Sequence, residues 1–490
     1  DTLPNGKFPR LVNVRATAGK FSALTSRSGY QNLLTDMTGD VHSIRRLNDN
    51  IGPNSTFVGD YTYVVGASTF LYRGTTGVMS LVSSSWSGRP LSLCHWRPDA
   101  SPRAFMYVFD ADKQEKVGRT SNTAVAADVA YPIGIPIPQT APIITPIAGA
   151  GPVGDYRWRY RYRSTQTGEK SNPSPIPVSV TTVAGGATIT VVASSAPHVD
   201  VIDIFRQGQA LLDYVKVGEI SNTGTLTFDD VLPDIDLQTA EILETNNDQP
   251  FTTVGLPMIG TVTVTADTPE AGLFTITRVT GKLFITDNTT GASSLLIAPG
   301  TIISVNDVDY TVYSSPSSDT SMIIRGVYTG PAGPVNYRIQ EPVLLGKSLP
   351  FVWGPFENCL LACGDIYRPG TLYWTNPNNP DGADSANNQE VTSPSEPLMN
   401  GFILSGRSFV FSSERLYSIH TAFDDKSQWT ILGTPCQKGL YTNWAFCTEG
   451  TKQGARCWFL AKDGIYETVG GEARCITDSD LFPLFPSEGS

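Results

Sequence analysis

β-Branched and aromatic residues fall in short runs along almost the whole chain, and Gly, Asp or Pro bound most of these runs. Thr56-Phe-Val-Gly-Asp-Tyr-Thr-Tyr-Val-Val-Gly66, Arg103-Ala-Phe-Met-Tyr-Val-Phe109 and Arg407-Ser-Phe-Val-Phe411 are examples. Side chains of this kind suit a pleated, half-buried surface, so each run predicts a strand. Long stretches with apolar positions at helical spacing are missing, and the strongest helical alternative, 237–247, is short. The pattern predicts an all-β protein.

One unit recurs: an apolar strand, a tight turn, and a second strand carrying a tyrosine near its end. It appears as Tyr61-Thr-Tyr-Val-Val-Gly-Ala-Ser-Thr-Phe-Leu-Tyr72, as Gly406-Arg-Ser-Phe-Val-Phe-Ser-Ser-Glu-Arg-Leu-Tyr417, and as Arg456-Cys-Trp-Phe-Leu-Ala-Lys-Asp-Gly-Ile-Tyr466. A looser version runs from Leu360 to Trp374. A hairpin of this size cannot bury its own face, and its repetition is the sequence signature of propeller blades. The units lie before about residue 140 and after about residue 350, roughly 280 residues in all, enough for about six blades at ~40–45 residues each. The expected architecture is a β-propeller closed by both chain ends. Residues 1–140 supply its N-terminal blades and 346–490 its C-terminal blades.

The middle of the chain is then inserted. A proline-rich spacer, 132–152, leads into a first inserted domain, 141–250. It opens with Tyr156-Arg-Trp-Arg-Tyr-Arg-Tyr-Arg163, which on a strand puts the aromatics on one face and Arg157, Arg159, Arg161 and Arg163 on the other. The strands that follow resemble a fibronectin type III-like sandwich. Single-stranded nucleic acid sites need cations and stacking rings on one face, and strict alternation separates them. The four arginines are therefore expected outside an aromatic core, pairing with an acidic strand or with another subunit, and they form the candidate subunit-contact face. A second inserted β domain, 251–345, is rich in Thr, Val and Ile with Gly, Asp and Ser turns.

Composition sharpens this picture. Gly 45 and Pro 35 make 80 of 490 residues, while only 17% are charged and 40% are hydrophobic, which excludes disorder and a long-helix bundle. No run of apolar residues is long enough to span a bilayer. The net charge of −11 is the wrong sign for gripping phosphates. The seven cysteines are an odd count, and Cys359 and Cys363 on one strand stand too far apart for a disulfide or a shared zinc ion; they read as small buried hydrophobes.

Catalytic patterns are not found. The histidines His42, His95, His198 and His420 sit in no HExxH, GxSxG, P-loop or zinc spacing. His198 lies near Asp200 and Asp203 but beside no nucleophile signature, and glycosidase-type carboxylates would have to come from Asp424, Asp425 and Glu414 without a sialidase-like turn. The polar segment Thr375-Asn-Pro-Asn-Asn-Pro-Asp-Gly-Ala-Asp-Ser-Ala-Asn-Asn-Gln-Glu390 offers Asp381, Asp384 and Asn387 as calcium ligands, but lacks the EF-type register and reads first as a solvated, mobile loop. No enzyme activity, cofactor or metal is expected.

The order of several segments resembles the tail nozzle proteins of short-tailed bacteriophages, the family also called tail tubular protein B or packaged-DNA stabilisation protein. Pro9-Arg-Leu-Val-Asn13, Gly19-Lys20 and Arg27-Ser-Gly-Tyr30 match its opening, with Ser-Gly where Pro-Gly is usual. The run through Thr167-Gly-Glu-Lys-Ser-Asn-Pro-Ser-Pro175 is similar to its inserted domain, and Leu372-Tyr-Trp-Thr-Asn-Pro377 to an element of its later blades. Most specific are Trp458-Phe-Leu-Ala-Lys-Asp-Gly-Ile-Tyr466, Gly470-Gly471, Ile476-Thr-Asp478 and Leu481-Phe-Pro-Leu-Phe485. The 251–345 insertion has no counterpart.

The resemblance implies a structural virion protein assembled in the host cytoplasm as a hexameric ring of the tail. It would join a portal-side adaptor ring, carry fibres or spikes, retain packaged double-stranded DNA in its lumen and open for genome ejection. Six copies would carry a charge of about −66, a sign that repels phosphates from a lumen. Asn376, Asn378, Asn379, Asp381, Asp384 and Asn387 are the expected mobile gate loop. Two other readings stay open at this point, a receptor- or glycan-binding tail propeller and a propeller glycoside hydrolase.

Overall fold

The computed structural model describes residues 14–17, 20–26, 37–47, 62–75, 78–97, 104–119, 128–149, 151–183, 185–224, 226–254, 258–265, 272–280, 302–314, 321–331, 333–339, 343–365, 368–384, 386–421, 429–451 and 454–477. The motifs at 9–13, 27–30 and 481–485, Gly19, Asp478, the carboxylates Asp424 and Asp425, and the 283–291 run lie outside them. Among the described residues the chain is all-β, and the helical element is a single 3-10 turn, Asp234–Leu237. No helix among these residues is long and apolar enough to cross a membrane.

Five sheets are four-stranded antiparallel meanders with strands in sequential order, the architecture of propeller blades. The first spans Val41–Leu47, Thr62–Ala67, Phe70–Thr75 and Val78–Ser84. The second spans Ser92–Trp96, Phe105–Phe109, Gln114–Arg119 and Asp128–Pro132. After the insertions come Phe351–Phe356, Cys359–Cys363, Thr371–Trp374 and Asn388–Glu390, then Leu398–Leu404, Arg407–Ser412, Leu416–Thr421 and Trp429–Gly433. The fifth holds Phe446–Thr451, Gly454–Ala461, Gly464–Thr468 and Ala473–Cys475. A separate two-stranded hairpin, Val14–Thr17 with Lys20–Ser26, stands ahead of them. Against the expected six or so blades, five complete sheets are described.

Each sequence repeat falls on the second and third strands of a blade. Turn chemistry closes the hairpins between first and second strands: Ser405 and Gly406 have φ of 51° and 74°, and Glu357 and Asn358 have 47° and 60°. Both pairs match the type I′ geometry, whose twist agrees with that of the flanking strands. Blades then stack through apolar faces. Trp353 of the third blade lies against Gly401 of the fourth and donates from Nε1 to Ser408 Oγ at 3.0 Å. Phe402 and Phe411 of the fourth pack on Phe446 and Phe459 of the fifth.

The two ends of the chain meet between the second and third blades. Ser92 Oγ donates to the Pro350 carbonyl at 2.7 Å and accepts from the Val352 amide at 3.0 Å. Behind this seam Cys94, Phe105, Tyr107 and Phe109 share one core with Leu349, Val352, Leu360 and Ala362. The cysteines Cys359 and Cys363 are buried free thiols at opposite ends of one strand.

The first insertion is a seven-stranded sandwich. One sheet orders Val180–Thr182, Gly154–Arg163, Val201–Gly208 and Leu211–Ser221; the other orders Ile143–Pro146, Ala187–Thr190 and Thr227–Asp230. Tyr156, Trp158, Tyr160 and Tyr162 all point into its core, as alternation requires. The second insertion is a closed six-stranded barrel over 258–339, with Met258–Thr265 pairing both Leu273–Thr280 and Pro334–Ile339. Phe274, Ile276, Ile303, Val305, Ile324 and Tyr337 fill its interior. Closure leaves it no free edge. The antiparallel pair Thr252–Val254 and Val343–Ser348 connects it to the remainder of the chain.

Candidate functional site

The residues expected as a mobile gate loop are hydrogen-bonded to one another and to neighbouring segments. Asn376 Oδ1 accepts from the Asp384 amide (3.0 Å) and from Asn387 Nδ2 (2.9 Å), while Asn376 Nδ2 donates to the Asn246 carbonyl (2.7 Å). Asn378, at φ 60°, donates its amide to the Asn358 carbonyl at 2.8 Å. Asn379 Oδ1 caps the Asp381 amide, and Ala383 exchanges both backbone hydrogen bonds with Asp248. The asparagines that read as solvating groups are internal ties, because short amide side chains satisfy a tight backbone locally.

Asp381 goes further, into a buried ionic cluster. Its carboxylate accepts from Tyr107 Oη at 2.8 Å and from Lys116 Nζ at 3.0 Å, so its oxygens serve the second blade and not a calcium ion. Lys116 Nζ also pairs with Glu169 of the sandwich, whose Oε2 accepts from Thr167 Oγ1 at 2.7 Å. The Lys116 side chain is 0% exposed and those of Glu169 and Asp381 2%, which leaves a substrate no access. One ammonium thus joins the second blade, the third-blade loop and the first insertion.

Electrostatics follow from that burial. Burial, then the charge of Glu169, push the Asp381 carboxyl up to about 7, against the pull of Lys116. Burial lowers the Lys116 ammonium, but Asp381 and Glu169 together carry it above its ordinary value, so it stays charged. His198 lies 3.7 Å from Glu169 with its ring tilted against Tyr131, and it is pushed down to about 4 by burial and by Lys116. Neither ring nitrogen has a hydrogen-bond partner among the described residues. His198 is therefore a neutral packing residue near neutral pH. Asp200 instead accepts from the Thr165 amide, and Asp203 serves the arginine face, so the three residues do not converge.

The arginine face divides in two. Arg161, with a side chain 0% exposed, donates to Asp203 (3.1 Å) and Glu241 (2.6 Å); Arg163 donates to Asp203 (3.0 Å) and Glu219 (2.7 Å). Lys216 and Lys170 complete the network on the same carboxylates. Both arginines of the expected subunit-contact face are thus paired within the chain. The returning segment that carries Glu241 bonds to the edge strand (Lys216 amide to Glu241 carbonyl, 2.8 Å) and covers Arg161. Arg157 is exposed, and Arg159 donates to the Ser174 carbonyl at 2.6 Å.

A third ionic group escaped the sequence. Arg206 is buried, donating to Asp230 (2.6 Å) and Asp234 (2.8 Å), while Trp158 Nε1 donates to Asp230 (2.8 Å) and Tyr156 Oη to Asp234 (2.9 Å). The signal was Arg206 directly after the apolar pair Ile204-Phe205 in a buried strand. In all three clusters the ions are matched partner to partner, an arrangement that holds elements together and orients them.

No known protein family matches the chain, and no curated protein is similar to it in sequence. Among solved structures it is similar to BBS1N, crystallised in complex with ARL6DN, at 9% identity and a TM-score of 0.27, over 90% of this chain and 84% of that one. It is also similar to Sqt1 of Saccharomyces cerevisiae at 9% identity and a TM-score of 0.17, over 82% and 90% of the two chains. A third is the extracellular domain of the hybrid two component system BT4673 from B. thetaiotaomicron, with 11% identity, a TM-score of 0.20, and 91% and 56% coverage. The propeller assignment rests on this chain's own sheet order.

Proposed function

We propose that this chain is a structural virion protein of a short-tailed bacteriophage, forming the nozzle of the tail tube that retains packaged double-stranded DNA and opens for its ejection. The observation that carries the reading is the seam at Ser92, Pro350 and Val352, where blades from both chain ends join around two inserted β domains. That layout agrees with the order of motifs through which the sequence resembles tail nozzle proteins. The sealed Lys116 cluster and the paired arginines supply rigidity, which a pressurised conduit needs. The reading includes a hexameric ring, contacts to a portal-side adaptor ring and to fibres or spikes, and an acidic lumen.

Mass measurement of the purified chain and imaging of whole particles test it. Six copies of 52.8 kDa give a ring of about 317 kDa, and antibody against the chain should decorate the distal tail. A monomer that is absent from particles would overturn the reading. Binding on a glycan array, or turnover of capsular polysaccharide, would redirect it to a receptor-binding or hydrolytic propeller.

A further inference from the structure

The strand Gly154–Arg163 treats its arginines unequally. Arg161 and Arg163 each meet carboxylates, whereas among the described residues no carboxylate pairs with Arg157 or Arg159. Instead a third cation faces them from the barrel. Arg325 reaches across to donate from Nη2 to the Pro177 carbonyl of the sandwich at 3.0 Å, and it too lacks a described carboxylate partner. Between Arg159 and Arg325 lies a cavity of about 220 Å³, walled by Pro173, Pro175, Thr311 and Tyr313 among others, with no described acidic residue in its lining.

Like charges gathered in a half-buried space repel, and the protein shows the strain: burial and Arg325 push Arg159 down to about 10, and burial and Arg157 lower Arg325. Tyr214 stands beside this group: its ring lies 5.6 Å from the Arg159 guanidinium, and burial raises its hydroxyl against the pull of the three arginines. Three guanidiniums that meet backbone carbonyls or solvent but no described carboxylate are the complement of a single multiply charged acceptor.

We propose that the cleft between the sandwich and the barrel binds a dianionic phosphate group, held by Arg159 and Arg325 with Arg157 at its rim. Guanidinium forks match phosphate oxygens two at a time, and a dianion offsets more of the gathered charge than a monocarboxylate. The cavity accommodates inorganic phosphate or the terminal phosphate of a small monoester. The bound group would bridge the two insertions and fix the barrel against the sandwich. This inference does not depend on the tail reading.

Calorimetric titration of the full chain with inorganic phosphate, at fixed ionic strength against sodium chloride, is the test. One saturable site is expected, weakened at least ~10-fold in Arg159→Gln and Arg325→Gln and several-fold in Arg157→Gln, with Arg407→Gln unchanged. Glycerol 3-phosphate binding as well as phosphate would assign the site to monoesters, and phosphate alone would assign it to the free ion. Dimethyl phosphate, which carries one charge like a nucleic-acid diester, should not compete. The proposal is overturned if phosphate behaves as chloride does, if the arginine variants bind like the parent, or if dimethyl phosphate binds equally well. Arg157 is exposed, so Arg157→Gln keeps the test open should a variant of the two inner arginines fail to fold.

Discussion

Asp381 and His198 carry opposite proton linkages within one buried cluster. Asp381 is raised to about 7, so the native state holds a proton that the unfolded chain releases above its ordinary value, and stability falls as pH rises from about 4 to 7. His198 is lowered to about 4, so the unfolded chain binds a proton the native state refuses, and stability rises between about 4 and 6.5. Where the windows overlap the two slopes, each up to ~1.4 kcal/mol per pH unit, largely cancel. Asp248, raised to about 6 by burial, adds a fall between about 4 and 6, so urea midpoints of the parent chain should decline gently across this range. Relative to the parent, Asp381→Asn should tilt the profile upward with pH and His198→Gln downward; parallel profiles for both variants would contradict the shifts. The sequence showed Asp381 as one acid in a polar loop, because its partners stand at positions 107, 116 and 169 and only folding brings them together.

The blade is the element that tolerates least change. Gly401 lies in a buried strand where an added Cβ would stand 2.2 Å from the Trp353 ring. That ring is held by its hydrogen bond to Ser408 and cannot swing aside without losing it. Gly401→Ala should therefore cost about 1–3 kcal/mol, read as a lower denaturation midpoint, whereas alanine at Gly433, with open space around it, should move the midpoint much less. Strand existence and the inward face of Tyr156, Trp158, Tyr160 and Tyr162 were legible from period-two alternation alone. The outward face was only half legible. Alternation told that the arginines leave the core, but the segment carrying Glu241 decided that Arg161 is buried again and Arg159 is not paired.

The whole molecule is a propeller interrupted once, with the barrel attached through a two-stranded connector. Thr252 opposes Ser348 and Val254 opposes Val343, so the chain leaves and returns at nearly one place. Replacing 256–341 by a short Gly-Ser turn should leave the other domains folded, with the far-ultraviolet spectrum still that of strands and the main thermal transition within a few degrees. Aggregation of the shortened chain would show that the barrel supports the propeller. The same variant should lose phosphate binding, since Arg325 leaves with the barrel.

Local chemistry determined a great deal before any coordinates. Aromatic and β-branched runs with tight turns made the chain all-β, and repeated hairpins at both ends pointed to blades, because strand pattern and turn geometry depend on neighbours a few residues apart. Tertiary structure alone decided that the last insertion closes as a barrel, that 375–390 is tied down, and which cations meet carboxylates. Lys116 and Asp381 are 265 positions apart, and an ion pair depends on what lies within a few ångströms, which sequence separation does not record.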